Sequence, residues 1–250
     1  MVLDTSFDFR TDAGGGDPDT RSPTLRRYHQ LLWSKPLPGG ARFDLDSTTR
    51  GEYLHHRSAL GEFFLSSDSV IPTWAWWGGA MRPIIEQLTE AEIESLTAIS
   101  STIGGMVIFP SNRIDGKLTI NGARGLLRKI ADRFDLTLEC IRRYYRNEDS
   151  PLGATLTRYS AFFALFEDFR GYVDFFLLQD LVDGDGSAVR FFLPFDNFTT
   201  RSVPTNVDAY REYSARSIEF VKARNDRINQ WAVEHRQQTS DQREPGLLSQ

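Results

Sequence analysis

Residues 106–147 read MVIFPSNRIDGKLTINGARGLLRKIADRFDLTLECIRRYYRN and contain three successive patterns. An apolar run at residues 106–109 predicts a buried strand, a turn-rich basic loop follows, and a helical pattern opens at Thr119. Beyond Thr119, apolar and charged residues separate onto opposite stripes at helical spacing. This order of elements predicts a helix-rich α+β chain in which the strand leads into a polar loop and a helix N-terminus.

The loop and the helix start predict an anion site. A helix N-terminus presents unpaired N–H groups and a partial positive charge, which suits a phosphate when cations stand beside it. Asp115 in the same loop is the candidate general base or metal ligand. The side chains expected to hold the phosphate are Arg113, Lys117, Asn121, Arg124 and Arg128.

The charged stripe of this helical region also has a purely structural interpretation. Arg128 with Asp132, and Glu139 with Arg142, are helical neighbours of opposite sign, so the stripe predicts a solvated or salt-bridged face. The region forms either one long amphipathic helix or two helices broken near Asp135. The sequence alone leaves both choices open.

Two glycines lie in the first part of this helical region. Gly122 and Gly125 each cost roughly 1 kcal/mol relative to alanine in a helix interior. Close backbone packing or the approach of a ligand would explain them, and packing is the more common reason.

Composition limits the classes of function. The chain has 250 residues and a net charge of −5, so its overall charge does not favour nucleic acid or anionic membranes. It has no N-terminal apolar segment and no run of 18 apolar residues, which predicts a cytoplasmic protein without a membrane partner. Cys140 is the only cysteine, which excludes an intramolecular disulfide and predicts a buried, inert thiol.

The rest of the chain predicts a mostly helical α+β domain with a small antiparallel or mixed sheet. Residues 1–21 form an irregular segment, residues 22–235 a single domain, and residues 236–250 a disordered tail. The sheet is expected to pair residues 106–109 with residues 189–193. The aromatic residues between 154 and 182 predict a central buried helix, or two helices hinged at Arg170 and Gly171, with a core of Phe162, Phe166, Phe169, Val173, Phe176 and Leu177.

Established catalytic motifs are missing from the sequence. It has no phosphate-binding loop, dinucleotide fingerprint or nucleophile elbow, so no cofactor is predicted. Arg50 and His55 match a ribonuclease spacing that chance alone would produce about once in such a chain. Trp74, Trp76 and Trp77 predict a core cluster, with a stacking platform for a base as the alternative.

The chain resembles an uncharacterised bacterial protein family over about residues 7 to 230. The resemblance lies in Phe109-Pro110, in the run from Arg113 to Lys117, and in the segment from Asp135 to Arg143. Further similar segments are SPL at residues 150–152, DFRGY at 168–172, FLLQDL at 176–181 and FLPFD at 192–196. The family has no assigned activity, so the resemblance implies membership and no mechanism.

Two functions follow as hypotheses. The first is binding, with processing as its extension, of a phosphate-bearing ligand such as a nucleotide or an RNA end. The second is a non-catalytic interaction or oligomerisation module that uses the arginine-rich helix face. A concave pocket would favour the first, and a flat or convex face would favour the second. The residues expected to converge on such a pocket are Arg113, Asn121, Arg124 and Arg128. The oligomeric state is not predicted.

Overall fold

The computed structural model of the chain describes residues 3–47, 54–72, 74 and 78–241. Within them the α+β, mostly helical class is confirmed. The helices are α1 (Pro18–Arg21), α2 (Pro23–Trp33), α3 (Arg82–Ile85), α4 (Glu90–Ser100), α5 (Ile120–Leu126), α6 (Phe134–Tyr145), α7 (Gly153–Arg158), α8 (Ser160–Ala164), α9 (Phe169–Phe175) and α10 (Val207–Asp241). The strands are β1 (Lys35–Pro36), β2 (Arg42–Phe43), β3 (Asp46–Ser47), β4 (Leu54–Ser58), β5 (Gly61–Ser69) and β6 (Met106–Pro110).

The strands form two antiparallel sheets. One pairs β1 with β2, and the other has the order β3-β4-β5-β6. The long strand β5 pairs with β4 through its first half and with β6 through its second, from Leu65 opposite Pro110 to Ser69 opposite Met106. The predicted strand at residues 106–109 is therefore confirmed, with every residue of β6 buried.

The predicted strand at residues 189–193 is wrong. Val189 forms only an isolated bridge with Val182 across the turn between them. The N–H of Phe192 donates instead to the buried carboxylate of Asp135, at 2.9 Å. Phe192 and Leu193 are buried in the core. The apolar pattern of residues 189–193 therefore reflects burial of the side chains and not pairing in a sheet.

The aromatic core is confirmed, but its helices break at a different place. All six predicted core residues are buried. The chain turns between α8 and α9, where Glu167 has a φ of +66° and Asp168 caps α9 by accepting from the N–H of Gly171. Arg170 and Gly171 thus lie inside α9 and not at a hinge.

Helix α10 spans 35 residues and docks on the sheet through a buried arginine. Arg224 donates to the carbonyl oxygens of Gly104 (2.9 Å), Met106 (2.7 Å) and Phe176 (3.0 Å). Gly104 also donates its N–H to Asn225 Oδ1 at 2.7 Å. These bonds hold the start of β6, the end of α9 and the middle of α10 at one point.

Local capping residues fix the starts of α2 and α4. Ser22 caps α2 with Pro23 at its first position, and Thr89 and Glu92 form the capping box of α4. In the predicted irregular segment, Phe9 is buried in the core. Residues 236–241 continue α10, where the sequence places the start of the tail, and residues 242–250 lie outside the described part.

Several other predictions concern single residues. Trp74 is buried and donates its indole N–H to the carbonyl of Ala131, whereas Trp76, Trp77 and Arg50 lie outside the described residues. His55 belongs to strand β4 and not to a helix. Cys140 is buried as expected, and burial raises the pKa of its thiol to about 12.

Candidate functional site

The structure separates the predicted anion-site residues. Arg113, Asp115 and Lys117 are exposed in the turn after β6, where Asp115 has a φ of +52°. Arg128 is also exposed, in the connection between α5 and α6. Neither Arg113 nor Lys117 forms an ion pair with a described residue. Helix α5 has only seven residues, and Thr119 already accepts from the N–H of Gly122.

Arg124 is not available to a ligand, because it is fully buried and saturated by protein groups. Its guanidinium pairs with the Asp68 carboxylate, donates to Thr137 Oγ1 at 3.1 Å, and donates to the carbonyl of Asp132 at 2.9 Å. Asn121 lies nearby, with its amide 3.5 Å from Ser66 Oγ. Arg124 therefore ties α5 and the helix break to strand β5.

The single-helix alternative is excluded by that break. Ala131 and Asp132 have φ values of +52° and +63°, so α5 and α6 are separate helices. The Asp132 N–H donates to the carbonyl of Arg124, at 3.1 Å. The guanidinium of Arg124 and the backbone around it thus hold the turn from both sides.

Most of the arginine-rich face of α6 is paired with acidic side chains. Glu139 is buried and accepts from Arg142 Nε at 2.8 Å and from Arg143 Nε at 2.7 Å. Arg146 pairs with Glu148 at 2.7 Å. The salt-bridged interpretation of this stripe is therefore supported around Glu139. The expected pair of Arg128 with Asp132 is not formed in the described part of the chain, because Asp132 lies 3.5 Å from Arg124 instead.

The glycines of α5 have no packing requirement. A Cβ at Gly125 would meet no atom within 4 Å, and one at Gly122 would meet only Leu118 and Thr119 side chains at ordinary contact distance. The expectation that close packing explains these glycines is wrong.

A buried polar chain runs from α2 to α1 across strand β5. Trp33 Nε1–H donates to His29 Nδ1 at 2.9 Å, so the remaining His29 nitrogen carries the proton and donates to Ser67 Oγ at 2.9 Å. Ser67 Oγ lies 3.4 Å from Asp19 Oδ1. Burial, and then the Arg224 charge, lower the pKa of His29 to about 3. His29 cannot act as a base toward Ser67, and the chain is structural.

A cavity of about 430 Å³ opens where β1, α9 and α10 meet. Lys35 lies in its wall because Ser34 ends α2 and the chain turns directly into β1. Among the residues lining the cavity are Pro36, Pro38, Gly171, Asp174, Phe175, Trp231 and His235. The cavity combines one buried amine with aromatic and proline surfaces.

The Lys35 amine is enclosed by aromatic rings. Its Nζ lies 5.0 Å from the ring centre of Trp33, 4.7 Å from that of Phe175 and 5.0 Å from that of Trp231. The residue is only 7% exposed, which is rare for lysine. Ring faces attract an ammonium group, yet they replace only part of its lost hydration.

Among the described residues, no carboxylate lies within ion-pair distance of this amine. Within the described part of the chain, Lys35 Nζ makes no hydrogen bond and no ion pair, and Asp174 acts on it only at longer range. Burial, and then the positive charge of Arg224, lower the pKa of Lys35 to about 7. A lysine with a perturbed pKa in the wall of a cavity is a functional-site candidate on physical grounds.

A second cavity of about 910 Å³ lies between the end of α6 and the α7–α8 region. Its walls carry Glu148, Asp149 and Glu167 beside Tyr144. No group of three or more His, Cys, Asp or Glu side chains among the described residues is placed to hold a metal ion. The charged residues that line this cavity are acidic, so it does not suit an anionic ligand as the Lys35 cavity does.

Sequence reasoning missed Lys35 for two reasons. The residues that enclose it are far apart in sequence, and no motif links Trp33, Phe175 and Trp231. One signal was present: the chain has 29 basic residues and only four lysines, and Lys35 alone of the four is buried. Lys35 also stands two residues after Trp33 and directly before Pro36.

The fold and the site define a mostly helical α+β protein with a small antiparallel sheet and a cavity that contains a buried lysine. The chain belongs to the family of unknown function DUF6994, whose model matches residues 3–228. No curated protein and no solved structure matches the chain. No helix in the described part is both long enough and apolar enough to cross a membrane.

Proposed function

We propose that the protein binds a small anionic ligand with a flat ring, such as a nucleotide or another phosphate-bearing aromatic compound, in the Lys35 cavity. One observation carries this proposal: the ammonium of Lys35 is buried and forms no ion pair with any described residue. An anion that enters the cavity would supply the missing charge in a low-dielectric environment, where an ion pair is stronger than in water.

The cavity walls favour a ligand with a ring over a bare inorganic ion. Phe175 and Trp231 offer apolar ring surface on which a base can stack. The volume of about 430 Å³ falls within the range of small-molecule pockets. Asp174, which already accepts from Gln179 at 2.9 Å, can accept from a ligand hydroxyl or amino group.

The two sites that the sequence favoured have weaker support. Arg113 and Lys117 lie in an exposed turn. Arg124 does not form a concave surface with them, because its side chain is fully buried among its own hydrogen-bond partners. The alternative interaction module has fewer free charges than expected, because Arg142, Arg143 and Arg146 are paired with glutamates. The exposed turn is the competing binding site in the test of the cavity.

Adenosine monophosphate is a suitable probe for calorimetric titration. We expect it to bind the wild type more tightly near about pH 7 than near about pH 9, by more than tenfold, because an anion selects the protonated amine and Lys35 loses its proton above about pH 7. Adenosine, which has no phosphate, should bind weakly at both pH values. Lys35→Met should abolish the pH-dependent binding.

The matched control is Lys117→Met, which removes an exposed lysine and should leave the affinity unchanged. A double variant, Arg113→Ala with Lys117→Ala, tests the turn. If the double variant loses affinity while Lys35→Met retains it, the ligand binds at the turn and the proposal for the cavity is wrong. Absence of binding to the wild type would also contradict it.

A further inference from the structure

We propose that Lys35 is a nucleophilic amine that captures aldehydes as imines, with preference for an aromatic aldehyde that carries an anionic oxygen beside the carbonyl group. This activity goes beyond reversible anion binding and does not require that nucleotides bind. It rests on the position of the amine in the wall of an open, largely apolar cavity.

Three features of the cavity suit nucleophilic chemistry. The amine borders space that a ligand can enter, its surroundings are aromatic, and no described carboxylate within ion-pair distance locks it in the ammonium form. Desolvation and a neighbouring cation are the two means by which proteins activate lysine amines, and here Arg224 is that cation. The pKa of about 7 leaves a large share of Lys35 neutral and nucleophilic at neutral pH.

The reaction needs no oxidant or second substrate. The lone pair of Lys35 Nζ attacks the carbonyl carbon, a C–N bond forms, and a proton moves from nitrogen to the former carbonyl oxygen to give a carbinolamine. The nitrogen lone pair then expels the hydroxyl group, which takes up a proton and leaves as water, and a protonated imine remains. Hydrolysis reverses each step.

Two titratable side chains line the cavity and can carry the proton that the leaving hydroxyl requires. Asp174 belongs to α9, and His235 belongs to α10 and stacks on Trp231 with 4.0 Å between ring centres. Arg224, buried on α10, is the other charged group acting on Lys35. A carboxyl and an imidazole are the usual groups for general acid–base catalysis.

Charge balance selects the class of aldehyde. A protonated imine carries the same positive charge as the ammonium that it replaces, and the described part of the cavity provides no ion pair for it. A ligand with an anionic oxygen next to the carbonyl group brings its own counter-charge and leaves no buried charge unpaired. A neutral aliphatic aldehyde leaves that charge unpaired and should accumulate less imine.

Pyridoxal 5′-phosphate meets these requirements and serves as the probe, because its imines absorb visible light. The wild-type protein is mixed with a limiting amount of the probe near neutral pH, reduced with borohydride, digested and mapped by mass spectrometry. Three exposed lysines, Lys117, Lys129 and Lys222, are internal controls. We expect Lys35 to carry more than tenfold as much label as any of them, although it is the least exposed.

One variant and one ligand analogue separate imine formation from anion binding. Lys35→Arg keeps a cation but has no amine that forms an imine, so it should lose the label and the absorption band. Pyridoxine 5′-phosphate, which lacks the carbonyl group, reports anion binding alone.

The outcomes distinguish the two proposals. If pyridoxine 5′-phosphate binds the wild type while Lys35 stays unlabelled, the imine proposal is wrong and the proposal of anion binding is retained. Labelling of Lys35 without any binding of adenosine monophosphate would support the imine proposal and contradict the nucleotide proposal. Label on Lys35 no greater than on the exposed lysines also overturns the imine proposal.

Discussion

Phe166→Ala is expected to lower the free energy of unfolding by about 3–5 kcal/mol, which is the usual cost of emptying a fully buried phenylalanine site. Phe166 lies between α8 and α9 at the centre of the aromatic core. Its ring centre is 5.0 Å from that of Phe175 and 5.2 Å from those of Phe162 and Phe176. The rings surrounding it come from two helices and cannot collapse into the space, so a cavity should persist.

Thermal melting measures this effect. For a chain of this length, the melting temperature should fall by roughly 10 °C. Leu126→Ala is the control, because Leu126 is a large apolar residue that is 69% exposed, and its removal should change the melting temperature very little. If Phe166→Ala melts within a few degrees of the wild type, the aromatic helices are peripheral and the described architecture is wrong.

Gly104→Ala is expected to destabilise the protein by about 3 kcal/mol or more, because backbone must move to accept the methyl group. A Cβ at Gly104 would lie 2.6 Å from the Val221 carbonyl oxygen and 2.6 Å from Asn225 Oδ1. Moving α10 away to relieve this contact would also stretch the bonds that Arg224 makes to Gly104 and Met106. The steric contact and the stretched hydrogen bonds both destabilise the folded protein.

Gly125→Ala is the matched control for this substitution. Its new methyl group meets no atom within 4 Å and its backbone is helical, so alanine should stabilise the protein by about 1 kcal/mol. Opposite signs for the same chemical change would confirm that α10 packs directly on Gly104. Chemical denaturation of both variants measures the change in the free energy of unfolding that each substitution causes. Equal changes for Gly104→Ala and Gly125→Ala would contradict the placement of α10.

Helix starts could be predicted from sequence because their causes are local. The Ser22 and Thr89 caps act on groups within three residues of themselves. The strand predicted at residues 189–193 failed because its apolar side chains serve the core while the N–H of Phe192 finds the Asp135 carboxylate, 57 residues away in the chain. A local pattern does not show which distant group satisfies a backbone donor.

The burial of charged side chains also could not be predicted from the sequence. Arg124 and Asp135 lie on the charged stripe of the sequence, yet both are fully buried. Helical spacing groups residues on one face but does not show whether that face meets solvent or protein. The burial of Lys35 could not be predicted for a related reason. Nothing near Lys35 in the sequence shows that Phe175 and Trp231 enclose it.

Lys35 is a buried amine that has no ion-pair partner among the described residues, and its protonation equilibrium is the decisive measurement. The chain has only four lysines, so NMR of the side-chain Nζ signals, assigned with Lys35→Met, can follow each one from acid to alkaline pH. We expect the pKa of Lys35 to lie near about 7, well below the ordinary lysine value of about 10.4. A titration of Lys35 near that ordinary value would show that its charge is solvated or paired, and would contradict both the anion site and the reactive amine.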